Sequence, residues 1–527
     1  MQKRRLPCPR IPGVVIVLIC VAHGVALAKP IPHPIGVTHP PASIARSASA
    51  AAAPTSSPWT PLTHQPDFLL DGASSPILLT DGTVLIQDAG FPDWWRLTPD
   101  EFGSYVNGTW SQIASLPPTY SPLYHSSAVL PDGRLIIEGG EYLLSLDQTQ
   151  FIPIWTNQGA IYNPIANTWT MVQPPAGWKT IGDAQSVVLA NGTYMQANCC
   201  TTETALLNAT TLTWTPTGAG KFDINDEEGW TLLPDGKVLT VDAYVRKYDP
   251  NGTDSELYDP VTGTWSSAGS TMVQIWDSCG GARLASYEVG PAVLRPDGTV
   301  FATGANGCGA GHTAIYNSRK ATWKAGPDFP DGLSIADGPG ALEPNGRVLV
   351  MASPFFDFGA VYFEWDGDKL TEVPGPPNAP GEISYFGNML VLPTGQILLT
   401  DFYNDIEIFT PSNGAVEDRP EIDGVASSVI RGLTYRISGH GFNGLSQGAA
   451  YGDDAQAATN FPLVRITNKA TGHVFYARTH DHSSMAVASH ERVYTYFDVS
   501  PRTETGKAKL EVVVNGVAST PFSITVE

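Results

Sequence analysis

Side chains that can bind a metal ion or a sugar recur at one place in a repeated segment of this sequence. They stand eight to ten residues before the glycine of a repeated turn, and they are Tyr124, His125, Asp183, Glu227, Glu228, Glu288, Asp337 and Tyr385. Carboxylates suit Ca²⁺ or Mn²⁺, and added imidazoles admit a transition metal. Like charges held together raise one another's pKa unless a cation neutralises them. The pattern therefore predicts a site for a metal ion or a sugar.

A structural role is the alternative for each of these residues. A carboxylate at the start of a strand can accept backbone N–H groups or meet solvent, and His125 can be a hydrogen-bonded structural histidine. Two later histidines, His480 and His482, are predicted to cap the same site as metal ligands. Alternatively, His482 only orients its neighbour.

Four cysteines follow the first 28 residues, at positions 199, 200, 279 and 308. Three full pairings are possible. We predict a Cys279–Cys308 disulfide, because the two residues flank a predicted hairpin whose ends lie at the same edge of the sheet. Cys199 and Cys200 are adjacent, and the sequence leaves open whether they form a vicinal disulfide or stay as two buried thiols.

The elements that position these residues begin with a turn that appears seven times. Its glycines are Gly82, Gly133, Gly192, Gly236, Gly298, Gly346 and Gly395, separated by 51, 59, 44, 62, 48 and 49 residues. Most copies read Asp-Gly or Asn-Gly, which accept the positive φ angles of a two-residue hairpin turn, and apolar residues flank each copy. Each turn is therefore predicted to join two antiparallel strands.

A second signal follows most turns by about half a repeat. It reads Ile161-Tyr162-Asn163-Pro164 before Thr168-Trp169, and Leu257-Tyr258-Asp259-Pro260 before Thr264-Trp265. This pattern predicts a third strand, a turn and a fourth strand. Two hairpins per unit give a four-stranded blade. We therefore predict a seven-bladed β-propeller over residues 59–418, with little helix.

Residues 419–527 break the repeat but keep short alternating segments. Examples are Arg431–Ile437, Leu463–Ile466, His473–Tyr476 and Leu510–Val514. This many short strands in about 110 residues suits an immunoglobulin-like β-sandwich. The predicted fold class is thus all-β, with the propeller followed by the sandwich.

With Arg134-Leu135-Ile136-Ile137-Glu138-Gly139-Gly140 after a turn and the later Tyr-Asn/Asp-Pro and Thr-Trp pairs, the units resemble kelch repeats. A kelch propeller followed by an immunoglobulin-like domain resembles the galactose oxidase and glyoxal oxidase group of copper-radical enzymes. The resemblance covers roughly residues 59–527. It specifies the fold more strongly than the function, because kelch propellers also serve as binding scaffolds.

The resemblance implies a copper site at the propeller axis. Tyr124 matches the tyrosine that the family cross-links to a cysteine, but the cysteine position falls near Ala73 and no cysteine stands there. Tyr385 matches the second tyrosine, and Phe386 stands where the family has a histidine ligand. His480 matches the histidine from the C-terminal domain. The resemblance therefore implies a copper site that lacks two of its parts.

The net charge argues against certain classes of partner, and the N-terminal sequence predicts export from the cell. The formal net charge is −21, which argues against nucleic acid and anionic membranes as partners. Residues 1–28 read as a signal peptide, with a basic start, an apolar stretch too short to span a bilayer, and an Ala-x-Ala cleavage site. Residues 29–58 are rich in Pro, Ala and Ser, and are predicted to be a disordered leader.

These patterns favour a secreted, monomeric protein that binds carbohydrate or a cell-surface glycan and keeps a degraded copper-radical site. One alternative is a copper-dependent oxidase of alcohols or aldehydes with altered ligands. Another is a protein-interaction scaffold. The cofactor implied is a metal ion, either copper or calcium.

Overall fold

The computed structural model describes residues 57–527 apart from residues 67, 69–71, 149, 245–251, 282–284, 413 and 415–417. The predicted signal peptide and nearly all of the predicted leader lie outside the described residues. Within them the chain consists of short β-strands and three single-turn 3₁₀ helices, at Pro330–Gly332, Ala379–Gly381 and Ser384–Phe386. The prediction of an all-β protein is confirmed. No helix in this part of the chain is long and apolar enough to cross a membrane.

The repeated region holds the first 31 strands. In the first half they are β1 (Trp59–Pro61), β2 (Ala73–Leu78), β3 (Val84–Asp88), β4 (Trp94–Thr98), β5 (Thr109–Gln112), β6 (Pro122–Leu123), β7 (Ser126–Val129), β8 (Leu135–Glu138), β9 (Tyr142–Leu144), β10 (Phe151–Pro153), β11 (Gly159–Asn163), β12 (Thr168–Val172), β13 (Ser186–Val188), β14 (Tyr194–Ala197), β15 (Thr204–Asn208) and β16 (Thr213–Thr217). In the second half they are β17 (Thr231–Leu232), β18 (Val238–Val241), β19 (Ser255–Asp259), β20 (Thr264–Ser267), β21 (Val289–Leu294), β22 (Thr299–Gly304), β23 (Thr313–Asn317), β24 (Thr322–Ala325), β25 (Gly340–Leu342), β26 (Val348–Ala352), β27 (Val361–Trp365), β28 (Leu370–Val373), β29 (Asn388–Val391), β30 (Ile397–Thr400) and β31 (Glu407–Phe409).

These strands form a succession of four-stranded antiparallel sheets, which we number along the chain. Sheet 1 is β2–β5, sheet 2 is β7, β8, β11 and β12, sheet 3 is β13–β16, sheet 4 is β17–β20, sheet 5 is β21–β24, sheet 6 is β25–β28, and sheet 7 is β29–β31 with β1. The N-terminal strand β1 pairs with β31 and so completes the last sheet. The first strands of sheets 7 and 1, β29 and β2, contact each other. The ring of sheets is therefore closed, as in a propeller.

The predicted turns join the first two strands of each sheet. All seven turn glycines have φ between +77° and +84°, a backbone conformation that side chains with a Cβ rarely adopt. The predicted fourth strand is also present. The tyrosine of the third strand packs on the tryptophan of the fourth, with ring centroids 5.1 Å apart for Tyr162 and Trp169 and 5.4 Å apart for Tyr258 and Trp265.

The C-terminal region supplies the remaining strands, and each of the predicted segments overlaps one of them. They are β32 (Glu421–Gly424), β33 (Ser428–Val429), β34 (Thr434–His440), β35 (Ala449–Ala450), β36 (Leu463–Asn468), β37 (Val474–His480), β38 (Val493–Asp498), β39 (Gly506–Val514), β40 (Val517–Ala518) and β41 (Phe522–Val526). All but β35 form one nine-stranded sheet. Its apolar side chains form a core of their own, around Ile437, Val464, Phe497 and Leu510.

One long loop of the C-terminal region, residues 441–462, enters the ring of sheets, and we call it the central loop. Its strand β35 pairs with β25, with Ala449 opposite Ala341. Its Gln447 side chain accepts a hydrogen bond from the backbone N–H of Leu232 at 2.8 Å. The loop therefore contacts the first strands of sheets 4 and 6 at the axis of the ring. The sequence alone did not predict this contact.

Candidate functional site

Five buried carboxylates meet where the central loop reaches the starts of the first strands, and we call them the axial cluster. They are Asp183, Glu227, Glu288, Asp337 and Asp453, each at most 5% exposed. Carboxylate oxygens of Asp183, Glu227 and Asp453 lie within 4.8 Å of one another, and so do those of Glu227, Glu288 and Asp337. Glu227 thus belongs to two overlapping triads. Four of the predicted acidic residues are brought together, and the fifth member was not predicted.

The backbone at this site adopts an uncommon conformation at equivalent places. Tyr124, Glu227 and Asp337 have φ of +51°, +54° and +52°, and each stands nine residues before its turn glycine. A left-handed conformation at a residue with a Cβ costs of order 1 kcal/mol and clusters at functional sites. Here it turns the chain from the preceding loop into the first strand, with its side chain near the axis.

Glycine at position 452 allows the central loop to approach the cluster. A Cβ at this position would collide with the Asp337 carboxylate, and a Cβ at Gly229 would collide with the Gly452 carbonyl oxygen. Only residues without a Cβ fit this approach, which sets Asp453 beside Asp183 and Glu227.

The negative charge of the axial cluster raises the pKa of neighbouring groups. Burial raises the pKa of Asp226 well above its usual value, and the nearby carboxylates of Asp183 and Asp453 raise it further. The pKa of the Tyr244 phenol is raised by burial first, then by Asp226, Glu227 and Glu288. Such shifts arise where negative charges are held together away from water. Asp226 and Tyr244 therefore lie within reach of the negative charge of the cluster.

The two predicted catalytic tyrosines lie in one buried aromatic cluster. Tyr124 and Phe386 both pack on Phe402, with centroid distances of 6.2 and 5.4 Å. The Tyr385 ring packs on Phe386 at 4.8 Å, and the Tyr451 hydroxyl donates a hydrogen bond to the Tyr385 carbonyl at 2.7 Å. Burial and then the charge of Glu288 raise the pKa of Tyr385. The tyrosines are thus adjacent to the axial cluster but lie among apolar rings.

The residues present do not fit copper. Copper favours imidazole and thiolate donors, and no histidine belongs to any group of potential metal ligands in the described ranges. The place predicted for the cross-linking cysteine is occupied by Ala73, Ser74 and Ser75. All donors of the axial cluster are oxygens, which suit hard cations such as Ca²⁺ or Mn²⁺.

Two predicted binding residues have structural partners instead. The ring nitrogens of His125 lie 3.1 Å from Gln87 Oε1 and 3.2 Å from the Ser126 carbonyl oxygen, and burial lowers the pKa of His125 to about 4. Glu228 Oε1 accepts a hydrogen bond from Lys221 Nζ at 3.0 Å. In both cases the preceding residue, Tyr124 or Glu227, has a left-handed backbone, and the residue that follows it has its side chain held by these structural partners.

The structure places His480 and His482 away from the axial cluster, so the expectation that they cap it is wrong. The backbone N–H of His482 donates to Pro131 in a hairpin turn of sheet 2. The ring of His480 lies between Asp481, at 2.8 Å, and Asp498, at 3.3 Å. These turns lie at the other end of the first strands from the axial cluster, which the central loop reaches instead.

The buried His482 is expected to make the stability of the protein depend on pH. Burial, then the positive charges of His480 and Arg478, lowers the pKa of His482 to about 3, against about 6.5 in the unfolded chain. Its contribution is therefore complete above pH 6.5 and is lost as the pH falls toward 3. We expect the stability advantage of the wild type over His482→Asn to shrink by up to about 1.4 kcal/mol per pH unit below pH 6. Urea unfolding of both proteins at pH 7, 6, 5 and 4 measures this, and a constant difference would contradict it.

All four cysteines predicted to remain in the mature protein form disulfides. Cys279 and Cys308 are joined, as predicted, with Cα atoms 5.3 Å apart. The open question of Cys199 and Cys200 resolves to a vicinal disulfide. Cys199 Sγ lies 3.7 Å from Asp226 Oδ1, so this disulfide borders the axial cluster.

Sequence reasoning missed the contribution of the central loop. Tyr451 and Asp453 stand outside the repeat, so the spacing to a turn glycine could not find them. The signal that was available is the run Tyr451-Gly452-Asp453-Asp454, in which an acidic pair follows glycine within a long segment between strands. The run could not be assigned to the site from sequence alone, because only the fold shows that this loop enters the ring.

Comparisons with known proteins agree with the fold. No family model matches the chain. The chain is 27% identical over 134 residues to Kelch-like protein terF of Aspergillus terreus, a match that spans 25% of this chain and 26% of that protein. The four-stranded sheets and this match confirm the predicted resemblance to kelch-type propellers.

Solved structures similar to this chain include a fungal alcohol oxidase of the AA5 family in complex with copper, with 12% identity, 89% of this chain and 98% of that one covered, and a TM-score of 0.47. YCF48 bound to D1 peptide is similar with 12% identity, coverage of 69% and 99%, and a TM-score of 0.46. Virginiamycin B lyase from Staphylococcus aureus is similar with 9% identity, coverage of 67% and 98%, and a TM-score of 0.42.

Proposed function

We propose that this protein is a ligand-binding propeller whose axial cluster binds a divalent cation and, through it, a carbohydrate. The observation that carries the proposal is the pair of overlapping carboxylate triads that share Glu227. Carboxylate oxygens that lie within 4.8 Å of one another can bind a single ion together. A hard divalent cation bonds to oxygens of this kind.

A bound cation of this kind would leave coordination positions for ligand oxygens. Ca²⁺ takes six to eight oxygen ligands. Paired sugar hydroxyls can fill positions that water otherwise takes, since they are oxygen ligands of the same type. The proposed cation is thus also the means of binding a carbohydrate.

Aromatic rings beside the cluster support a carbohydrate as the ligand. Tyr244 and Tyr287 are half-buried and stack with centroids 4.1 Å apart and planes at 16°. Trp276 continues the stack at 5.3 Å from Tyr287. Tyr244 lies close enough to Glu227 and Glu288 for their charges to raise its pKa. Ligand pockets commonly combine such aromatic walls with a few polar groups, and the apolar face of a sugar ring packs on them.

We also propose the domain architecture of the protein and its location outside the cell. Sheets 1 to 7 are the blades of one seven-bladed propeller over residues 59–418, and residues 419–527 form an immunoglobulin-like domain that supplies the central loop. Residues 1–28 act as a signal peptide and the protein is secreted as a monomer. The two disulfides support an oxidising location.

Calcium titration tests the proposal. We expect Ca²⁺ to raise the melting temperature of the full chain and to bind in isothermal titration calorimetry, because it neutralises the axial carboxylates. In Glu227→Gln and Asp337→Asn we expect this axial binding to be lost, while the exposed control Glu372→Gln keeps it. Glycan-array binding should require Ca²⁺ and disappear on chelation. Unchanged calcium binding in both axial variants would contradict the cation site, and glycan binding that survives chelation would contradict the role of the cation.

A second candidate function is that of a protein-interaction scaffold. The small sheet of β6, β9 and β10 forms an excursion from sheet 2. Ile152 in β10 is 44% exposed, and Leu146 and Ile154 in the adjoining segments are 76% and 50% exposed. Exposed apolar groups of this kind mark interaction surfaces. A protein partner bound here would leave calcium binding at the axis unchanged, which separates the two candidates.

A further inference from the structure

Sheet 4 contains a buried cation among carboxylates. Lys221 Nζ lies 2.6 Å from Glu256 Oε2, 3.0 Å from Glu228 Oε1 and 3.8 Å from Asp242 Oδ1, and all these side chains are buried. Asp223 adds a further negative charge. The ammonium group neutralises part of this charge, as a buried carboxylate requires.

Sheet 7 has carboxylates at equivalent positions. Asp242 and Asp401 each follow their turn glycine by six residues, and Asp223 and Glu382 each precede it by 13 residues. Glu256 pairs with the residue four after the turn glycine, Thr240, and Glu407 pairs in the same way with Leu399. The internal repeat thus places Glu382, Asp401 and Glu407 where sheet 4 has three of its carboxylates.

Among the residues that the structure describes, no side chain supplies a positive charge at this second place. The Glu382 carboxylate accepts a hydrogen bond from the Tyr362 hydroxyl at 3.0 Å, and Asp401 accepts one from Asn378 Nδ2 at 2.9 Å. No lysine, arginine or histidine within the described ranges forms an ion pair with Glu382, Asp401 or Glu407. The lysine of sheet 4 therefore has no counterpart here.

Oxygen atoms without hydrogen-bond partners lie in the same buried place. Glu382 Oε1, Glu407 Oε2 and Asn378 Oδ1 receive no hydrogen bond, and the Glu382 and Glu407 side chains are 0% and 3% exposed. The Glu382 and Asp401 carboxyl groups lie close enough to share a hydrogen bond when one of them is protonated, and without that proton they need a cation. Each such acceptor costs roughly 1–3 kcal/mol when it is left unsatisfied. Asn378 is partly exposed and donates from its amide nitrogen to Asp401, while its amide oxygen adds a neutral acceptor beside the carboxylates.

We propose that the junction of sheets 6 and 7 binds an inorganic divalent cation of the calcium type at the place that corresponds to the Lys221 ammonium of sheet 4. The ion lies between Glu382 and Asp401 and takes the Asn378 amide oxygen as a further ligand. Glu407 balances its charge from a greater distance, since these three carboxyl groups are more widely spaced than the axial triads. Carboxylate and amide oxygens are the donors that Ca²⁺ prefers. The proposal does not depend on the axial cluster.

Calcium and terbium binding test this site in the full-length chain. The starting protein is Glu227→Gln/Asp337→Asn, which removes the axial cluster. We expect this protein still to bind one Ca²⁺ in calorimetry, and to give terbium luminescence when tyrosine is excited, because the Tyr362 hydroxyl lies 3.0 Å from Glu382. Adding Asp401→Asn should abolish both signals. The matched control adds Asp242→Asn, the sheet 4 counterpart, and should leave both unchanged.

A second variant keeps the test decisive if Asp401→Asn fails to fold. Asn378→Lys places an ammonium group beside Asp401 and so supplies the missing charge from within the chain. We expect this variant to fold and to lose the bound Ca²⁺. Calcium binding that persists in Asn378→Lys, or is absent from the protein with the intact junction, would overturn the proposal. Protons would then neutralise these carboxyl groups.

Discussion

Replacing Lys221 with methionine will lower the free energy of unfolding by about 3–5 kcal/mol, the cost of breaking a buried ion pair by removing one partner. Methionine fills nearly the same volume, so the loss comes from charge rather than from a cavity. Glu228, Asp242 and Glu256 would remain buried without the ammonium that lies 2.6 to 3.8 Å from them. Burial already raises the pKa of Glu228 and Asp242, and Lys221 is the group that lowers it.

Urea unfolding at pH 7 measures this effect. The matched control is Lys237→Met, because Lys237 lies 3.2 Å from Asp235 and both side chains are exposed. An exposed pair of this kind contributes about 0–1 kcal/mol. We also expect Lys221→Met/Glu256→Gln to recover part of the loss, since it removes one of the unneutralised charges. A loss in Lys221→Met no larger than in Lys237→Met would show that the buried carboxyl groups are neutral without the lysine.

Much of the fold was predictable because its signals are local. The turn glycines need a positive φ whatever surrounds them, and the Tyr162 and Trp169 pair forms between adjacent strands. The same periodicity found Asp183, Glu227, Glu288 and Asp337, because equivalent positions in a ring of sheets meet at the axis. Local spacing and ring geometry were therefore enough for most of the axial cluster.

The errors at the candidate site arise because spacing along the sequence fixes neither the direction of a side chain nor its distance from the axis. Glu228 follows Glu227 directly, yet its side chain points toward Lys221, and spacing along the chain does not reveal this direction. His480 was predicted to cap the axis from a loop, but it is the last residue of β37 and lies between Asp481 and Asp498. Which loop of the C-terminal region enters the ring depends on contacts between residues far apart in sequence, such as Tyr451 and Tyr385. No local pattern contains that information.

Removing the Cys279–Cys308 disulfide, by replacing both residues with serine, will lower the free energy of unfolding by roughly 3–4 kcal/mol. The bond closes a long loop, with a sequence separation of 29 residues, and so restricts the unfolded chain. The folded loop should keep its shape, because Asp277 accepts backbone hydrogen bonds from Cys279 at 3.1 Å and Gly307 at 2.7 Å. The loss is therefore expected mainly from the entropy of the unfolded state.

The vicinal disulfide is the matched control, because it involves the same chemistry at a sequence separation of one. It closes almost no loop, so Cys199→Ser/Cys200→Ser should cost much less than the long-range pair by this entropic account. Its effect is expected instead at the axial cluster, since Cys199 lies against Asp226 and Asn225 donates to the Thr201 carbonyl at 2.9 Å. Urea unfolding and calcium titration of both double variants separate the two roles. Equal losses of stability would contradict loop entropy as the cause, and unchanged calcium affinity in Cys199→Ser/Cys200→Ser would exclude the vicinal disulfide from holding the cluster.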